Sequence, residues 1–272
     1  MTLRVTILGS GSSGGVPRIG GEGGYWGACD PQEPRNRRRR CSILVERWQD
    51  DPTKKTTVLV DTSPDMREQL IDAGVDWLDG VLFTHDHADQ SHGIDDLRMV
   101  AINKRRRVDV YMDAYTSETL MTRFGYCFQA PEGSSYPPIL HGHLIHGPGQ
   151  SITIEGEGGP ITALAFDQAH GDIRSLGFRF GPLAYSSDLV GLPEESFAAL
   201  EGTACWIVDA LRYAPHPSHA HVDLTLEWIA RLRPRQAVLT NLHVDLDYQT
   251  LKGELPDGVE PAYDGMVFEF ED

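Results

Sequence analysis

Residues 84–93 read THDHADQSHG and place three imidazoles and two carboxylates between His85 and His92. The apolar run leading into them, GVLFT at residues 80–84, has the length and composition of a buried strand. In extended backbone alternate side chains share a side, so His85 and His87 point the same way at a chelating spacing. Asp89, two residues further on, adds a hard carboxylate. This nitrogen and oxygen set suits zinc or manganese and is not a thiolate site. Gln90 is the misfit, because an amide stands directly after Asp89 where a fourth ligand would be expected.

A surface histidine cluster is the competing reading of this stretch. Against it stand further donors in similar settings: His170 in FDQAHGDIRSLGFRF, Asp188 in PLAYSSDL and His243 in AVLTNLHVD, each beside an expected strand.

Working outward, β-rich runs occur at residues 4–8, 42–46, 57–61, 80–84 and 108–112. Others follow at 151–154, 176–180, 182–186, 205–209 and 237–241. Ser63 as cap, Pro64 at the first helical position and Gly74 past the end predict a helix with Met66, Leu70 and Ala73 on one face. Val222, Leu226, Ile229 and Leu232 form a second apolar stripe, closed by Pro234. Strand groups with helices between and after them predict an α/β (α+β) fold of two packed sheets covered by helices. With 272 residues, 40% of them hydrophobic, the chain can fill one large core, and 1–272 is read as a single domain.

GSGSSG, at residues 9–14, satisfies GxGxxG after a strand, yet glycines and Pro17 follow where a dinucleotide site needs a helix. Residues 9–40 are instead expected to form a long loop at the border of an active site. The balance of 24 Lys and Arg against 40 Asp and Glu, a net charge of −16, opposes binding to extended nucleic acid or an anionic membrane. The first residues, MTLRVTILGSG, lack the pattern of a secretion signal, and no apolar run could span a membrane; both predict a cytoplasmic protein. Cys29, Cys41, Cys127 and Cys205 form no CxxC pair and are read as reduced structural thiols. Oligomeric state is open, a homodimer included.

The whole ligand series resembles the metallo-β-lactamase-fold hydrolases, whose HxHxDH signature begins here as His85, His87 and Asp89. The later His, Asp and His of that family match His170, Asp188 and His243. THDHADQSHGIDDLR, HGDIRSLGFRF and AYSSDL are similar to the branch of phosphoribosyl cyclic phosphodiesterases, with ribonuclease Z more distant. The resemblance implies a four-layer αββα sandwich and two divalent ions, Zn²⁺ or Mn²⁺. His85, His87 and His170 would hold one ion, Asp89 and His243 the other, and Asp188 would bridge them. Gln90 occupies the place of a second-metal histidine, which implies a weak second site.

Two such cations would activate a bridging water for in-line attack on a small nucleotide-like or cyclic phosphodiester, with Asp89 among the catalytic groups. The leaving alkoxide then needs a proton. Within HPSHAHVDL, His219 matches the histidine that relatives place near the leaving group and is expected to be the general acid. His221 is its competitor and a candidate substrate contact, and His216 is read as a loop residue. Asp61, ending TVLVD, is a candidate partner for the second ring nitrogen of a ligating histidine, or a strand-end turn residue. His92 is expected to face the pocket without reaching a metal. HGHLIH, with His141, His143 and His146, reads as a polar crossover between strands and is left out of the metal site.

RNRRRRC, residues 35–41, is either a solvated run or a source of phosphate-binding guanidiniums, with Arg39 and Arg40 nearest the next strand. Relatives with an additional structural zinc carry clustered cysteines in this loop, and no such zinc is expected here. Two other functions compete with the phosphodiesterase: ribonuclease Z-like RNA processing, and a non-hydrolytic accessory role like that of quinone-cofactor-biosynthesis members of the fold.

Overall fold

The computed structural model describes residues 1–271. Its strands are β1 (Thr2–Gly9), β2 (Ser42–Trp48), β3 (Thr56–Val60), β4 (Gly80–Leu82), β5 (Val108–Met112), β6 (Leu140–Leu144) and β7 (Ser151–Ile154). Then follow β8 (Ile161–His170), β9 (Ile173–Phe180), β10 (Leu183–Ser186), β11 (Cys205–Asp209), β12 (Gln236–Thr240), β13 (Val259–Pro261) and β14 (Val267–Glu271). The helices are α1 (Met66–Asp72), α2 (Ala88–Ser91), α3 (Leu97–Lys104), α4 (Ala114–Phe128), α5 (Glu194–Leu200), α6 (Val222–Leu232) and α7 (Tyr248–Glu254).

Residues 1–8, 42–162 and the segment from Val267 form one compact unit; residues 9–41 and 163–266 form another. The first is built on a sheet ordered β14-β1-β2-β3-β4-β5-β6. From β3 to β6 its strands are parallel; β3 and β4 are buried throughout, as interior parallel strands require, whereas β5 alternates and the terminal β6 is mostly exposed. Its core gathers Leu59, Val81, Phe83 and Val110 from the sheet with Met66, Leu97 and Leu120 from α1, α3 and α4. The strands of the second unit pair in the order β13-β12-β11-β10-β9-β8, parallel from β10 to β13. Trp206, Val208 and Leu239 there pack with Phe197, Trp228 and Leu251 from α5, α6 and α7.

Local signals placed α1 and α6 to within a turn, and the other five helices were not expected. Helix α1 begins at Met66, two residues later than expected, because the Ser63 hydroxyl accepts the Asp65 N–H at 3.1 Å and closes a turn ahead of the helix. Met66 and Leu70 are buried as expected, and Gly74 follows with φ +66°. In α6 Val222, Thr225 and Trp228 are buried, and Leu226, Ile229 and Leu232 of the expected stripe are half-buried against the same core. HGHLIH differs more: His141 and His143 lie on β6, which pairs in parallel with β5. Its alternation is short and polar, so the run does not read as a strand.

The loop from Gly9 is held by bridges and not by a helix, Gly11 pairing with both Arg40 and Leu242. A side chain at Gly11 would sit 2.9 Å from Arg38 Cβ, which accounts for the glycine without a nucleotide. The arginine run anchors this loop. Arg38 is 2% exposed and donates to Leu246 O at 2.8 Å and Asn36 Oδ1 at 3.1 Å. Arg39 meets Asp264 through both its backbone N–H and Nε, at 2.8 and 3.1 Å. Arg35 lies over Tyr248 and Tyr263, and Arg37 over Trp26. Arg38→Met removes charge-assisted hydrogen bonds to two buried oxygens, Leu246 O and Asn36 Oδ1, and a loss of about 3 kcal/mol in urea-unfolding stability is expected. A loss below about 0.5 kcal/mol would show the guanidinium to be a bystander.

Candidate metal centre

In the first unit the candidate ligands His85, His87 and Asp89 follow the end of β4, and Asp61 follows that of β3. Asp61, just past β3, takes a left-handed backbone with φ 64°, which a non-glycine residue holds only when its surroundings over-determine it. Its carboxylate accepts the Thr84 N–H at 2.8 Å and the Thr84 hydroxyl at 2.9 Å. That hydroxyl is 3.0 Å from Nδ1 of His85, so Asp61 and Thr84 together set the ring, and the donor His85 offers a metal is Nε2. His85 is 1% exposed; the His87 ring lies edge-on to it with centroids 4.6 Å apart.

His87 also stands at the start of α2, which carries Asp89 and the fully buried Gln90. The short helix is tied down at both ends. Gln90 O accepts the Thr62 N–H at 2.8 Å, and the Ser91 hydroxyl donates to His87 O at 2.8 Å. Any side chain at Gly93 would drive into the Ser63 carbonyl, so this return needs glycine. Beside His87 lies a cavity of about 360 Å³ lined also by His92, Phe124 and Arg123. Arg123 donates to Asp86 O at 2.8 Å.

In the second unit His170 ends β8, and its Nδ1 donates to Ser218 O at 2.7 Å, leaving Nε2 as the metal-facing donor. Asp188, with φ 55°, and Asn241, with φ 62°, follow β10 and β12 in the same left-handed conformation as Asp61. Nδ1 of His219 lies 2.9 Å from Asp209 Oδ2, 3.1 Å from Asn241 Nδ2 and 3.7 Å from Asp188 Oδ1. Ligand atoms of His170, Asp188 and His219 all fall within 4.8 Å of one another. Burial pushes the Asp188 and Asp209 carboxyls upward, against the pull of the His219 imidazole. Two fully buried carboxyls facing imidazoles form a donor set that a divalent cation would balance.

His243 has its Nδ1 2.9 Å from Asp245, and burial, then Arg18, lowers its pKa. The neutral ring is the form that ligates. His219 and His243 open onto a cavity of about 150 Å³ that also presents Ser12, Arg18, Arg212 and His216. His221 is the residue preceding α6 and does not line this cavity. Nor do Arg39 and Arg40, so the guanidiniums at the cavity are Arg18 and Arg212.

Sequence reasoning did not single out Asp209, Asn241, Thr84, Arg18, Arg212 or Arg123. Asp209 and Asn241 had a usable signal, since they close CWIVD and AVLTN as Asp61 closes TVLVD. The three arginines had none.

A family model described as a beta-lactamase superfamily domain matches residues 56–241. The crystal structure of a diphosphatase from the PhnP family is 32% identical, covers 99% of this chain and 98% of its own, and superposes with a TM-score of 0.86. Human tRNase Z, short form, shares the fold at 16% identity and a TM-score of 0.62, covering 97% of this chain and 98% of its own. An octanoyltransferase of Porphyromonas gingivalis is 30% identical over 269 residues, 97% of this chain. This chain spans about half, 51%, of the length of that curated relative. No helix among the described residues is long and apolar enough to cross a membrane.

Proposed function

We infer that this chain, which belongs to the beta-lactamase superfamily and to its branch with the PhnP-family diphosphatase and ribonuclease Z, is a metal-dependent phosphodiesterase. Its substrate is a small nucleotide-like or cyclic phosphodiester. His85, His87 and His170 would hold one divalent ion, Asp89 and His243 a second, with Asp188 between them. Bound there, zinc or manganese supplies Lewis acidity to the phosphate and lowers the pKa of water. The chain's own residues do the rest. Arg18 and Arg212 hold phosphate oxygens, and His219 delivers a proton from Nε2 to the leaving oxygen while Asp209 fixes the ring through Nδ1.

The observation that carries this reading is the pair of a fully buried Asp209 and a half-buried His219, 2.9 Å apart, at the edge of the small cavity. A phosphate leaving group of an anhydride departs without a proton, whereas an alkoxide needs one; the pair therefore favours ester cleavage over diphosphate cleavage. The cavity of about 150 Å³ favours a small substrate over extended RNA. Acyl transfer on a thiol of this chain is disfavoured: all four cysteines are buried, and burial pushes Cys127 up to about 11 and Cys205 up to about 12.

Purified protein loaded with Zn²⁺ or Mn²⁺ is expected to hydrolyse a 2′,3′-cyclic nucleotide. Two bound metals per chain without turnover of cyclic or linear phosphodiesters would overturn the reading.

A further inference from the structure

A second group of metal-type donors converges in the first unit, away from the ligands named above in sequence and on different strands. β6 is the terminal strand of its sheet. In its parallel register with β5, Asp109 partners His141 and Tyr111 partners His143, so these four side chains share one face. The alternate residue, Gly142, faces Met121 and Phe128 of α4, which leaves the histidine face on the opposite side.

On that face one carboxylate oxygen collects both rings. Asp109 Oδ1 lies 2.7 Å from His143 Nε2 and 3.2 Å from His141 Nδ1. The three candidate ligand atoms all fall within 4.8 Å of one another. Tyr111 stacks on the His143 ring at 4.7 Å and 17°, which orients it without taking a ring nitrogen. Arg106 contacts the other oxygen, Oδ2, at 3.2 Å. His141 is 64% exposed, so an ion can enter from solvent.

We propose that Asp109, His141 and His143 form a surface site for a zinc-class divalent ion, built from residues that the candidate hydrolytic centre does not use. Two imidazoles and a carboxylate are a borderline donor set that selects Zn²⁺ or Cu²⁺ over Mg²⁺ or Ca²⁺. Ligand atoms around a tetrahedral zinc with bonds of about 2.0–2.1 Å lie about 3.3 Å apart. The His141 contact already has that span; His143 must draw back by about half an ångström as its shared proton leaves. The fourth position falls to water or to a donor from another molecule. Arg106, a cation on the same carboxylate, keeps the site weaker than a closed structural one.

The test is zinc titration of the full chain by calorimetry, with metal content after gel filtration. The double variant His141→Ala/His143→Ala is expected to lose one zinc equivalent while keeping phosphodiester turnover. Asp109→Asn, which keeps the size of the side chain, is expected to weaken that equivalent at least tenfold. His85→Ala/His170→Ala, which breaks the candidate hydrolytic centre, is expected to retain it. Zinc stoichiometry and affinity unchanged in both His141→Ala/His143→Ala and Asp109→Asn would reduce the cluster to an ion-paired surface and overturn the proposal. Because turnover is read separately, failure here and failure of the phosphodiesterase reading are distinguishable.

Discussion

Replacing His219 by alanine is expected to slow hydrolysis of a 2′,3′-cyclic nucleotide by about 10²–10⁴-fold, the range of a lost general acid. The reason lies in its surroundings. Nδ1 is held at 2.9 Å by a fully buried Asp209, so the ring has one orientation and only Nε2 to offer the cavity. Bis(p-nitrophenyl) phosphate provides the control, since its leaving group is acidic enough to depart unprotonated. The same variant should lose far less on that substrate. Asp209→Asn should follow the same pattern with a smaller loss, because it keeps the ring's neighbour and removes the charge that favours the imidazolium. His219 also stands within 4.8 Å of His170 and Asp188 in ligand-like geometry. Metal content therefore decides between the two roles. Loss of bound metal in His219→Ala, with equal rate losses on both substrates, would make it a ligand and sink the general-acid assignment.

Chelation is expected to lower turnover by roughly 10³-fold or more, the several kcal/mol that metal charge supplies. Recovery on adding zinc or manganese should come in two steps. The proposed first site has imidazoles from His85, His87 and His170, two of them oriented through Nδ1 by Thr84 and by Ser218 O. The proposed second site would rely on Asp89, Asp188 and His243, with the amide of Gln90 where the family pattern has an imidazole. Full recovery should then need excess metal, and more readily follow Mn²⁺, which accepts oxygen donors. Gln90→His changes the side-chain volume little at a fully buried position. It should tighten the second equivalent by at least the roughly 10-fold that even outer-shell partners command. One-step recovery in the unaltered chain, or unaltered affinity in Gln90→His, would mean that Gln90 does not limit metal binding.

Residues 84–93 were readable because their information is local. The strand before them is apolar and β-branched, the histidines alternate, and the later donors each lie beside a strand run. Capping was readable to within two residues at α1, where Ser63 closes a turn and not the helix itself. HGHLIH was not readable, because a short polar strand on a sheet end is specified by its neighbour β5 more than by its own pattern.

By itself, the amino-acid order determined the donor types, their strand-end settings and the position of the one amide among imidazoles. These depend on side-chain identity and on periods of a few residues. Only the tertiary structure decided what those donors lean on. It set Asp209 against His219, put Arg18 and Arg212 at the cavity, and turned Arg38 of the arginine run inward. Arg39 is held by Asp264, 225 residues away, and Arg38 by the carbonyl of Leu246, 208 residues away. A charge run reads as solvated until such partners arrive, because whether a guanidinium is buried depends on acceptors that the distant chain delivers.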